Sequence, residues 1–170
     1  MRESVPLRER RIDVLFLAFW IVNLAFITYV VDLEQIVIAD PRHFTYPLWP
    51  PPPLVDLVHW WGTHFDPVQY ARPPWWRATI WIDVLLFGPF YAAATFAFAK
   101  GRDWIRNPGL VWAGLMLANV TIILFEELVG PHATPAPGLV LAVNAPWLAM
   151  PLATIARVWS PHPFTRAPGG

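Results

Sequence analysis

Four apolar stretches, each close to 20 residues long, constrain this chain more than any other feature. They run from Ile12 to Val31, Ala78 to Ala99, Gly109 to Phe125 and Gly138 to Val158. At about 1.5 Å of rise per residue, such a helix crosses a hydrocarbon core of about 30 Å. The third is the shortest and extends through Leu128 if its acidic residues are admitted. We read an all-α membrane protein with four transmembrane helices in one domain over residues 12–159. A tail of residues 1–11 precedes it and a tail of residues 160–170 follows. The first stretch lacks a small-residue cleavage site and is too long for a leader, so it reads as a span.

An even number of crossings puts both termini on one side, and the basic residues say which. Arg2, Arg8, Arg10, Arg11, Lys100, Arg102, Arg106, Arg157 and Arg166 share that side, whereas only Arg42, Arg72 and Arg77 fall opposite. Cytoplasmic connections carry the excess of arginine and lysine, so both termini are expected in the cytoplasm. Eleven arginines against one lysine, with abundant alanine and proline, point to a bacterial cell membrane; the endoplasmic reticulum is the eukaryotic alternative.

Composition removes several functions. Charged residues make up 14% of the chain, against about 25% in soluble domains, and the net charge is zero. Nucleic acid is therefore not an expected partner. There is no cysteine, and the five histidines lie outside the spans without ligand spacing, so neither a metal nor another cofactor is expected.

Asp83 lies within the second apolar stretch, where an ionised group costs roughly 2.5–3.5 kcal/mol on insertion scales. Such a carboxylate faces protein, water or a ligand. Asn119 and Asn144 also lie at membrane depth, where an unsatisfied amide is costly; each either joins two helices or lines a cavity. Asp32 closes the first span. Glu126 and Glu127 close the third and read as solvated interface carboxylates, and the threonines read as bonded to their own helices. Pro89, Pro146 and Pro151 each remove a helix hydrogen bond. Residues 33–77 form a long, proline-rich outer segment, in which Val55 to Gly62 suits a short amphipathic helix. Trp60, Trp61, Trp75 and Trp76 read as an interfacial belt.

The motifs together resemble the EXPERA family. Phe65-Asp-Pro67, Pro73-Pro-Trp-Trp76, Asp83 followed by Pro89-Phe90, and Lys100-Gly-Arg-Asp-Trp-Ile-Arg-Asn-Pro108 match its receptor-type members in order and spacing. Val31-Asp-Leu-Glu-Gln35 matches them at the end of the first helix. Asn144-Ala-Pro-Trp-Leu-Ala-Met-Pro151 is similar both to those members and to the sterol Δ8-Δ7 isomerases of the family. The resemblance covers roughly Arg10 to Trp159. It implies a four-helix bundle with a lipid pocket open toward the bilayer, and a homodimer in some relatives. It implies that Asp32 pairs with a cationic amine and that Asp66, from the outer segment, orients it. Asp83 takes the place of a pocket glutamate, Phe87 replaces a glutamine one turn on, and Asn144 and Trp147 line the pocket from the fourth helix. The isomerases carry His-x-x-x-Glu on the helix corresponding to the first span, and no histidine lies between Ile12 and Val31.

Two functions follow as expectations. One is binding of a sterol- or isoprenoid-like lipid, and of cationic amphiphiles, in an acidic intramembrane pocket. The other is double-bond isomerisation, with Asp32, Asp66 and Asp83 moving protons and Trp147 facing the cation. A bacterial host without sterols favours a polyprenyl, carotenoid or hopanoid-like ligand in either case.

Overall fold

The computed structural model describes residues 2–167; Met1 and residues 168–170, the end of the expected C-terminal tail, lie outside them. Four helices are long and apolar enough to cross a membrane: α1 (Asp13–Val37), α4 (Pro74–Lys100), α5 (Asp103–Val129) and α6 (Pro137–Arg157). The outer segment supplies two more, α2 (Pro52–His64) and α3 (Pro67–Ala71). Strands β1 (Glu3–Ser4) and β2 (Thr165–Arg166) pair antiparallel, so both ends of the chain meet at one end of the bundle.

Each expected span is present, and the first is longer than its apolar run. Helix α1 continues past Asp32 because Glu34 and Gln35, polar but buried, have partners in the outer segment. Asp32 therefore sits inside a helix rather than at its end. Two stretches are wound wider than an α-helix, as π-helix, over Asn23–Asp32 in α1 and Asp83–Phe87 in α4. The second has a direct cause. Pro89 offers no N–H, and an i→i+5 pattern just before it lets preceding carbonyls bypass the gap. Asp32 and Asp83 each stand at one end of a widened stretch. Helix α4 stops at Gly101, whose φ of +62° is the left-handed turn glycine adopts without strain.

Aromatic rings fill the half of the bundle nearer the termini. Trp20 of α1 meets Trp112 of α5 edge-on at 4.8 Å and stacks on Tyr91 of α4 at 5.9 Å. Phe90 lies parallel to Trp112 at 5.2 Å. Phe87 is fully buried in this layer, 6.5 Å from the Tyr91 ring. Gly88 permits the crossing of α1 and α4, since a Cβ there would stand 3.0 Å from Thr28 Cγ2 and 2.8 Å from Tyr29 Oη.

A buried ion cluster ties the chain ends to this layer. The Asp13 carboxylate, fully buried, accepts from Arg10 on one side and from Arg157 Nε and Nη2 at 2.6 and 2.9 Å on the other. Spare guanidinium protons go to the Val5, Phe98 and Pro163 carbonyls. Phe164 presents its ring to both cations, at 5.0 Å from Arg10 and 4.5 Å from Arg157.

At the opposite end, the outer segment is folded onto the bundle. Glu34, fully buried, accepts from Arg72 at 2.7 Å and contacts His59 Nε2 at 2.8 Å. Arg72 also donates to the Ile38 carbonyl, and Trp76 Nε1 donates to Gln35 Oε1 at 2.6 Å. Thr134, in the turn between α5 and α6, donates to the Phe65 carbonyl at 2.6 Å. Trp76 is thus buried against α1 rather than part of an exposed belt, because its indole N–H has a polar partner only there.

Candidate functional site

Between the aromatic layer and the folded-over outer segment lies a cavity of about 330 Å³. Phe26, Ile27, Ile80, Met116, Val120 and Ile123 give it an apolar wall, with Trp60 and Trp61 from α2 at its outer side. Asp32, Asp66, Asp83, Asn119, Asn144 and Trp147, widely separated in sequence, all line it. Phe87 does not; its ring points into the aromatic layer, since that face of α4 is the one packed against α1.

The deep carboxyls come from the widened helix stretches. Asp32 and Asp83 are both buried, with 7% and 8% of their surface exposed, and their carboxyl groups are hydrogen-bond neighbours. An ionised carboxylate only accepts, so two such neighbours hydrogen-bond each other only when one of them carries a proton. Thr28 donates to Asp83 Oδ1 at 2.5 Å. The general expectation for membrane-helix threonines holds at Thr95 and Thr121, which donate to the Tyr91 and Leu117 carbonyls. It fails at Thr28, where a buried carboxylate is the stronger acceptor, and at Thr154, whose buried Oγ1 has no hydrogen-bond partner among the described residues.

Asp66 begins α3 and caps it, accepting from the Gln69 N–H at 3.1 Å. Asp66 does not bond Asp32, the partner the resemblance implies. Its carboxyl neighbour is Glu127, on the last turn of α5, and the Trp61 indole lies close to it as well. Burial pushes the Asp66 carboxyl above its ordinary range, against the lowering effect of the Gln69, Trp61 and Glu127 hydrogen bonds. A group whose folded pKa is raised binds protons more tightly when folded, so its contribution to stability falls as pH rises through that interval. Asp66→Asn, which keeps a capping side chain, is expected to be at least as stable as the parent at pH 7. It should also lose the part of the pH dependence that lies just above the ordinary carboxylate range. Thermal unfolding of both proteins in detergent between pH 4 and about 8 checks this.

Glu127 is the cavity-lining acid that the sequence reading placed in solvent. It is 1% exposed and lines the cavity, and its neighbour Glu126 is not freely solvated either, being largely covered and accepting from the His132 N–H at 3.0 Å. Adjacent helix positions point about 100° apart, so the two acids meet different surroundings. Glu127 continues the buried positions Met116, Val120 and Leu124 of α5. That spacing was the available signal.

On the α6 side, Trp147 Nε1 donates to Asn23 Oδ1 at 2.8 Å, fixing the indole against α1. Asn144 donates to the Val140 carbonyl of its own helix at 3.0 Å, so it does not join two helices; its remaining polar atoms border the cavity. Among the described residues no group of three or more His, Cys, Asp or Glu is arranged to hold a metal ion.

Comparison with known proteins adds an independent line. The family model described as EBP, EXPERA (EXPanded EBP superfamily), matches residues 53–158, more than half of the chain. Sigma intracellular receptor 2 of Xenopus tropicalis is 29% identical over 148 residues, 80% of this chain and 82% of that relative. The protein of the same name from Macaca fascicularis is 25% identical over 167 residues, 87% of each chain. The one from Homo sapiens is 26% identical over 119 residues, 64% of this chain and 63% of that relative.

Proposed function

The chain belongs to the EXPERA family, and on that premise we propose that it binds a sterol- or isoprenoid-like lipid, and cationic amphiphiles, in its acidic intramembrane cavity. The observation that carries this reading is the convergence of Asp32, Asp66, Asp83, Asn119, Asn144 and Trp147 on one largely apolar chamber. An apolar body of terpenoid size fills such a chamber at about 25 cal/mol per Å² removed from water. A hydroxyl or ammonium head then meets the Asp32–Asp83 pair, where a single negative charge shared between two carboxyls is met by a cation or a donor. The receptor name carried by the relatives is in keeping with a binding role. The cluster of basic residues at the end where β1 and β2 pair supports a cytoplasmic placement of both termini. The arginine-rich composition supports a bacterial cell membrane.

One observation favours a second reading, double-bond isomerisation: the neighbouring carboxyls of Asp32 and Asp83 border the same cavity as Trp147. In that reaction a carboxyl O–H gives its proton to one alkene carbon and keeps the bonding pair as carboxylate. The adjacent carbon becomes a cation, faced by the indole. A carboxylate then takes a proton from the next carbon, whose C–H pair forms the shifted double bond, and the acid is restored.

Lipid extraction from the purified protein, followed by mass spectrometry, tests binding. One lipid class is expected at near-stoichiometric yield and displaced by a cationic amphiphile; bulk membrane lipid alone contradicts the reading. Incubating the identified lipid with protein in deuterium oxide separates the two functions. Isomerisation adds one deuterium and moves the double bond, whereas binding alone leaves the lipid unchanged.

A further inference from the structure

We propose that Asp66 and Glu127 form a second cation-accepting subsite at the outer end of the cavity, which fits the chamber to amphiphiles bearing an ammonium at each end of a rigid apolar body. The inference rests on the binding reading above, in which Asp32 and Asp83 take the first polar head.

The starting observation is an acceptor without a donor. Glu127 is 1% exposed, yet its buried Oε2 accepts from no N–H or O–H group among the described residues. Its neighbour is the Asp66 carboxyl, which when ionised is an acceptor too and supplies no donor. A buried carboxyl short of donors is unfavourable, and Glu126, one residue earlier, shows the ordinary solution, with His132 supplying both a backbone N–H and Nδ1. Glu127 instead lines the chamber beside Asp66.

The chamber as a whole repeats that imbalance. Among the described residues, Thr28 and the Gln69 N–H are the hydrogen-bond donors to its four acids. No lysine, arginine or histidine is among the residues that line it. Negative charge there is left for a ligand to neutralise. Trp60 and Trp61, also on the wall, offer aromatic faces to a cation at that end.

Helix positions give the spacing. Asp83 lies nine residues inside α4 from Pro74, and Glu127 lies two residues from the end of α5 at Val129. At 1.5 Å per residue their depths differ by about 10 Å. Ile80, Met116, Val120 and Ile123 occupy the wall between them. That distance is close to the length of a fused tetracyclic body, which can carry one amine at each end.

The test compares a 3-aminosteroid with the 3,17-diaminosteroid of the same skeleton by calorimetry on the detergent-solubilised protein. In the parent protein the diamine binds about tenfold tighter or more, the gain of one charge-assisted hydrogen bond in a dry site. In Glu127→Gln the diamine falls to the affinity of the monoamine, while the monoamine is unaffected, which also shows that the variant is folded. Equal affinities in the parent, or a diamine advantage that survives in Glu127→Gln, overturn the second subsite and leave the first standing. Failure of both compounds to bind the parent overturns both.

Discussion

Asp32→Asn lowers affinity for a cationic amphiphile by about 100-fold or more, with little change in thermal stability. The side chain keeps its size, and the new amide can donate to Asp83, so packing beside the cavity survives. Charge at the mouth of the ligand's cationic head does not. Asp83 is a poor substitute, because Thr28 already donates to its Oδ1 at 2.5 Å and its carboxyl is turned toward Asp32. Competition binding on the purified variant measures the loss, and an unaltered affinity refutes the role given to Asp32.

Asp13→Ala has the largest expected effect on stability, a loss of about 3–5 kcal/mol, because it strands the buried Arg10 and the partly buried Arg157 guanidinium without their anion. Arg10 and Arg157 would face each other across the Phe164 ring with no carboxylate between them. The β1–β2 pairing and the packing of α6 on α1 depend on that cluster, so unfolding is expected to begin at the terminal end. Thermal melts in detergent check the size of the effect. A melt within about 1 kcal/mol of the parent would mean that the cluster is a solvated surface feature.

The four spans were readable because hydropathy over 20 residues depends little on detail. Their ends were less so. Helix α1 runs on to Val37 on the strength of partners that approach from 38 and 41 residues away, Arg72 to Glu34 and Trp76 to Gln35, and no local pattern announces such pairs. Of the site, the convergence of Asp32, Asp66 and Asp83 on one cavity was expected from the resemblance, but their pairing was not. Asp83 neighbours Asp32, whereas Asp66 neighbours Glu127 because α3 seats its N-terminus over the end of α5. Two residues carried an unused signal in their spacing. Asp13 shares the face of Phe16 and Trp20, as Glu127 shares that of Val120 and Leu124, and an acid on a buried stripe needs a partner. Phe87 went the other way: an aromatic one turn beyond Asp83 belongs to the packed face of α4, since the widened turn at Asp83–Phe87 rotates it out of the cavity.

The account stands on a ligand entering the chamber among these acids. A photoreactive aminosteroid with a diazirine near its amine, crosslinked to the protein in membranes and mapped by peptide mass spectrometry, examines this directly. Adducts at Asp32 and Asp83, competed away by unlabelled amine, are the predicted result. Adducts confined to outward-facing side chains such as Leu15, Val111 and Phe125, and unaffected by competitor, would contradict it.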